Sequence, residues 1–177
     1  MKRNRLVLIV LFLIFPLIKI FATPQAPDKL IYKGDTLAIF SHPLVQLDNY
    51  LSLKPQFFGE KEGCRSTDCW KGYQVEWLID DNQLYLTGIF SRCFNEDGIK
   101  ADLNELFGSK FIDGKVKADW FVGDIVANQG KLLTVLGYKF IYEKELEMQF
   151  DKGQLIETKK YVNSKVERAV YSRKLEE

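Results

Sequence analysis

One histidine, three cysteines and three groups of neighbouring carboxylates are the residues of this chain whose types could do chemistry. His42 stands alone and is followed by Pro43. A nucleophilic triad needs its serine on a sharp strand-to-helix turn, and Ser41 does not gain that geometry by standing next to an imidazole. Zinc needs converging nitrogen and sulfur ligands; one histidine with Cys64, Cys69 and Cys93 scattered along the chain does not spell such a site. Asp80/Asp81 and Glu96/Asp97 fall in turn-like sequence, where short acidic side chains serve the backbone. Glu143, Glu145 and Glu147 alternate, which puts them on one solvated face of a strand. Calcium binding and glycoside hydrolysis both require carboxylates to converge in space, so the chain is read as a non-enzyme with no catalytic residue, no metal and no cofactor.

The aromatic residues are the better lead. Trp70, Tyr73, Trp77, Tyr85, Trp120 and Phe121 lie on or beside predicted strands. Aromatic side chains dominate packing in β-rich domains, so most of these read as core. Trp70 differs, because it stands between Cys69 and Lys71 in polar sequence, the setting of an exposed binding anchor. Trp70, Tyr73, Trp77 and Trp120 are the candidate binding residues.

The elements that must position them follow a period of two, the strand period. Residues 29–32 and 36–40 read as strands around Lys33-Gly34-Asp35, and 45–53 as a helical turn. Residues 72–79 and 83–90 form the clearest hairpin, turning at Asp80-Asp81-Asn82. Ile99, Leu103, Leu106 and Phe107 recur at helical spacing ahead of Gly108, which predicts one short helix over 99–107. Residues 116–126 read as a strand with Gly123 as a bulge, followed by a turn at Asn128-Gln129-Gly130. In 140–150, Phe140, Tyr142, Leu146, Met148 and Phe150 face one way and Ile141, Glu143, Glu145, Glu147 and Gln149 the other. Asp151-Lys152-Gly153 then turns the chain into 154–161, whose Lys159 and Lys160 are placed to meet the acidic face. The tail from Asn163 reads as frayed or as a short helix. The expected fold is mainly β (α+β): a single antiparallel sheet, curved or barrel-like, with one short helix.

The N-terminus says where this domain works. Lys2, Arg3 and Arg5 precede an apolar run from Leu6 that ends, through Lys19, at Ala22, before Thr23-Pro24-Gln25-Ala26-Pro27. A basic region, an apolar region and a small residue before a polar exit are the parts of a secretory signal. Residues 1–22 are read as a signal peptide cleaved after Ala22, and 23–177 as a single β-rich domain in the periplasm or outside the cell. About 17 residues lie at the lower edge of a membrane span, so the alternative is an inner-membrane anchor over residues 6–22. The first cysteine, Cys64, is far from the apolar run, which argues against a lipoprotein. Removing residues 1–22 leaves 21 basic against 24 acidic side chains, a balance that argues against nucleic acid as a partner.

Export also gives the cysteines their first meaning, as disulfide candidates. Three is an odd number, so at least one thiol lacks an intrachain partner. Cys64–Cys69 would close a small loop. Cys69–Cys93 would join the two ends of the predicted hairpin and is the preferred pair, with the connectivity open.

Four segments carry a resemblance: Gly34-Asp35-Thr36-Leu37-Ala38-Ile39-Phe40; Cys69-Trp70-Lys71-Gly72-Tyr73 with Glu76-Trp77; Asn82-Gln83-Leu84-Tyr85-Leu86-Thr87; and Gly114-Lys115-Val116-Lys117-Ala118-Asp119-Trp120. On these the chain resembles a family of uncharacterised exported proteins of Bacteroidota. The resemblance spans most of residues 23–177 and implies neither an activity nor catalytic residues. The resulting expectation is an envelope protein that binds a protein partner, such as an immunity-type inhibitor. A carbohydrate- or small-ligand-binding module is the alternative, and a small hydrolase a more distant one.

Overall fold

Alternating burial turns one side of each strand inward, as β3 (Tyr73–Asp80) shows by burying Tyr73, Val75, Trp77 and Ile79 and leaving the residues between them partly or fully in solvent. The computed structural model describes residues 25–59, 66–91, 99–136, 139–166 and 170–176. The other strands are β1 (Asp28–Tyr32), β2 (Asp35–Ile39), β4 (Gln83–Ser91), β5 (Phe111–Ile112), β6 (Lys115–Lys117), β7 (Gly123–Leu136), β8 (Lys139–Asp151), β9 (Gln154–Val166) and β10 (Val170–Leu175). Two short helices, α1 (Tyr50–Leu53) and α2 (Leu103–Phe107), complete the described elements together with single 3₁₀ turns.

All ten strands belong to one sheet, in the order β10-β9-β8-β7-β2-β1-β3-β4-β6-β5, and β9 also meets β4. The mainly β, barrel-like expectation is met: the sheet curls until Gln154 pairs with Gln83, which makes an incomplete ring. Every neighbouring pair is antiparallel except β1 and β3, where Leu30 lies beside Trp77 in parallel register. A parallel pair needs a long crossover. Residues 40–72 supply it, burying Leu44, Leu53 and Phe57 against the core. Inside the ring, Leu30, Ile39, Trp77, Leu84, Leu86, Ile125, Met148 and Phe150 are all essentially solvent-free.

Two-residue turns set the registers. Asp81 and Asn82 (φ 47° and 58°) reverse the chain between β3 and β4, and Lys152 and Gly153 (φ 48° and 74°) do so between β8 and β9. Both central residues are left-handed, which matches the twist of the flanking strands. Gly153 also seals the ring. Its carbonyl accepts from Leu84 N at 2.8 Å, and its own N–H donates to the Phe121 carbonyl at 2.8 Å. A Cβ at this position would run into the Ala118 carbonyl and the Gln83 amide.

Several local expectations are corrected. Asn128-Gln129-Gly130 is not a turn; β7 runs on through it and pairs with β8 as far as Leu136. The irregularity there is a register shift next to Gly130 (φ 76°), where Glu143 Oε2 accepts from Lys131 N at 3.0 Å. The strand expected over 116–126 is broken, because residues 118–122 leave the sheet between β6 and β7. The helix over 99–107 shrinks to α2, started where Asp102 accepts from the N–H groups of Asn104 and Glu105 and ended at Gly108. Its first residues instead bridge to β4 through Phe90 and Lys100. A second short helix, α1, stands where a helical turn was expected.

The tail is a strand rather than a frayed end or a helix. β10 pairs with β9 from Val170 to Leu175. From it Arg173 reaches across β9 to β8, meeting Glu145 Oε2 at 3.1 Å and Glu147 Oε2 at 2.7 Å, with its guanidinium 3.4 Å from the Tyr161 ring centroid. Burial opposes the charge of Arg173, but the Glu147 hydrogen bond and the two carboxylates outweigh it and hold its pKa above the ordinary value. The acidic face of β8 therefore meets Arg173. Lys159 turns to Glu157 at 2.7 Å, and Lys160 lies on the other face, opposite Leu146.

Gly153→Ala combines a strained backbone with a steric clash at the seal, and is expected to cost about 2–4 kcal/mol of unfolding free energy. Urea denaturation followed by circular dichroism measures this; a loss within experimental error would show that the seal does not constrain the fold. Arg173→Ala strands the buried Glu145 carboxylate and is expected to cost about 3 kcal/mol in the same assay, whereas an exposed clasp would lose well under ~1 kcal/mol.

Candidate functional site

Because β1 and β3 run in parallel, the segments that lead into them lie side by side. Ala26 N donates to the Asp68 carbonyl at 2.6 Å, Gln25 Nε2 to the Thr67 carbonyl at 2.8 Å, and Trp70 N to Gln25 Oε1 at 3.1 Å. A bridge between Ser66 and Cys69 and a bond from Gly72 N to the Cys69 carbonyl fold residues 66–72 into a tight turn. Trp70 stands out from it with 64% of its surface exposed.

Beneath the turn lies a buried polar cluster. Asp28 is 1% exposed. Its Oδ1 accepts from Lys71 Nζ at 2.6 Å and from Val75 N at 2.9 Å, and its Oδ2 lies 3.5 Å from His42 Nδ1. Lys71 Nζ also lies 3.3 Å from His42 Nδ1 and 5.0 Å from the Tyr73 ring centroid. With a neutral imidazole, Nδ1 accepts from the Lys71 ammonium. Tyr73 shares a 2.7 Å hydroxyl contact with Tyr50. Burial, followed by that hydrogen bond, pushes the Tyr73 phenol far above its ordinary pKa, so it stays protonated.

This arrangement is a clamp. A desolvated carboxylate is tolerable only when its charge is matched and its lone pairs are occupied, and Lys71 with Val75 N does both. The ammonium is thereby committed and is not a free nucleophile. Ser41 Oγ is buried without a hydrogen-bond partner, so it is not bonded to the neighbouring imidazole as a triad would require. Among the described residues no group of three or more His, Cys, Asp or Glu side chains is arranged to hold a metal.

The four expected binding residues do not form one platform. Tyr73 and Trp77 are 2% and 0% exposed, because strand parity turns both inward, so neither can meet a ligand at the surface. Trp120 is half-buried, stacked on Phe107 with ring centroids 6.2 Å apart and donating from Nε1 to the Pro43 carbonyl at 3.1 Å. Trp70 alone of the four presents its ring to solvent.

The cysteine expectation changes as well. Cys69 is a free, buried thiol whose Sγ donates to the Tyr73 carbonyl at 3.3 Å, and not one half of a Cys69–Cys93 bridge. The tight turn aims the sulfur inward at its own strand. Cys64 and Cys93 lie outside the described residues, as do Glu96 and Asp97. Asp80 pairs with Lys115 at 2.6 Å. Asp28 and Lys71 are the site residues that sequence reasoning missed. They are 43 positions apart, and only the parallel register brings them together.

Lys71→Met leaves Asp28 buried without its cation and is expected to destabilise the fold by about 3–5 kcal/mol. His42→Ala, which removes only the outer contact, should cost about 1 kcal/mol or less. Thermal and urea denaturation of the two variants checks this; equal losses would mean that the imidazole, and not the ammonium, carries the clamp. Comparison with protein-family models, with curated proteins and with solved structures finds no match to this chain.

Proposed function

We propose that this is an exported, non-enzymatic protein of the cell envelope that binds a protein partner through the turn carrying Trp70, with an immunity-type inhibitor as one concrete form. The observation that supports it is a large aromatic ring, 64% exposed, on a turn fixed by Gln25 on one side and by the buried Asp28–Lys71 clamp on the other. Exposed tryptophans are favoured interface anchors, and a rigid support lowers the ordering entropy that binding costs. Export rests on the basic-then-apolar N-terminus. A carbohydrate-binding module would use the same residue, since stacking on a sugar also needs an exposed ring and Tyr73 and Trp77 cannot offer one.

The test is capture from an envelope extract with tagged protein, wild type against Trp70→Ala. Recovery of a discrete protein partner that falls about ten-fold or more in the variant, with an unchanged melting temperature, is the expected result. Equal recovery by the variant would remove Trp70 from the interface. Binding on a glycan array that Trp70→Ala abolishes, with no protein captured, would transfer the site to the carbohydrate reading.

A further inference from the structure

The chain enters its first strand at Asp28, and the residues just ahead of that strand are lashed to the turn that carries Trp70. Gln25 holds the turn at two points, accepting from Trp70 N through Oε1 and donating to the Thr67 carbonyl through Nε2. Ala26 N adds a third bond, to the Asp68 carbonyl, and Ala26 itself is buried. The turn and the start of the domain are therefore one body. Ala22, where the apolar run from Leu6 ends, stands three residues before Gln25. A link of that length spans at most about 10 Å. Whatever surrounds residues 6–22 is kept that close to the base of the turn.

The turn is chemically suited to a boundary between lipid and water. The Trp70 ring is 64% exposed, and an indole joins an apolar body to an N–H donor, the combination that concentrates tryptophan at membrane interfaces. Ser66 and Thr67 are exposed beside it. The one carboxylate of residues 66–72, Asp68, accepts from the Ser66 hydroxyl. Lys71 is turned inward to Asp28. The turn thus offers a lipid surface an aromatic ring and hydroxyl side chains, with its acid already bonded.

We propose that, while residues 6–22 lie in a bilayer, Trp70 is seated in the headgroup region of that same membrane. The tether, more than intrinsic affinity, selects this occupant. A link this short makes the second contact intramolecular and gives it a high effective concentration, so one indole is enough. Removal of residues 1–22 cuts the tether and returns the ring to water, where the protein partner proposed above reaches it. The inference goes beyond that partner reading and does not depend on it.

The chain has three tryptophans, none of them in residues 1–22. Trp77 is sealed in the core and Trp120 is half-buried against Phe107, so a quencher carried by lipid reports on Trp70. The test reconstitutes the full chain in phosphatidylcholine vesicles brominated on the acyl chain close to the headgroup. Its emission is expected to be quenched relative to unbrominated vesicles, and Trp70→Phe is expected to abolish the quenching. Inserting about 15 Gly and Ser residues between Ala22 and Thr23 adds about 20 Å of mean reach and is expected to lower the quenching about two-fold or more. Trp70 is exposed and the insertion precedes the first strand, and circular dichroism confirms that both variants fold. Unquenched emission from the unaltered chain would overturn the proposal. Quenching that persists in Trp70→Phe would assign it to another indole and overturn it too. Equal quenching with the insertion would show that the tether does not place the ring, with the same result. Protein capture is measured without vesicles, so failure of the partner reading and failure of this one appear in different assays.

Discussion

A single desolvated carboxylate organises the start of this fold. Asp28 opens the first strand and is removed from water, and its two closest partners, Lys71 and the N–H of Val75, lie 43 and 47 residues further along the chain. Parallel β1–β3 pairing is thus specified by charge as well as by apolar matching. A one-residue slip of β1 would turn Leu30 away from Trp77 and take Asp28 from Lys71 at the same time. The clamp in turn holds the turn on which Trp70 stands, so the most exposed aromatic of the candidate set is supported by the most buried acid.

Two kinds of physics hold the ring. Ions and hydrogen bonds join Asp28 to Lys71 where β1 and β3 begin, and Arg173 to Glu145 and Glu147 across β8 to β10. At the seam between β4 and β9, backbone shape does the holding, through left-handed turns and the contact of Gly153 with Leu84 and Phe121.

Much of the sheet was legible because alternation and turn residues are local. The β3–β4 hairpin and the turn before β9 follow directly from period-two burial and from Asp-Asn and Lys-Gly turns, whereas β8 buries Ile141 and Glu145 on the face that its sequence marks as solvated. Where reading failed, a long-range partner overrode a local signal. Asn128-Gln129-Gly130 has turn chemistry, but the pairing of β7 with β8 absorbs it as a bulge. The charged tail looks unable to pack, yet Arg173 finds a buried carboxylate two strands away. Trp77 and Trp70 are the same residue type seven positions apart, and only strand parity against turn geometry separates core from surface. Asp28 and Lys71 gave no signal at all, since nothing local distinguishes a clamped acid from a solvated one.

The ring closes through contacts that are far apart along the chain. Leu84 meets Gly153, and Asp28 meets Lys71. Loop-closure entropy must be overcome before such contacts repay it, which makes a topology of this kind slow to complete compared with its hairpins. A nascent chain that has emerged only as far as β7 can form the β3–β4 hairpin, yet it has no segment with which to seal the ring. Folding is therefore completed only after nearly the whole polypeptide is available, and until then the two edges that close the ring, at Gln83 and Gln154, stay apart.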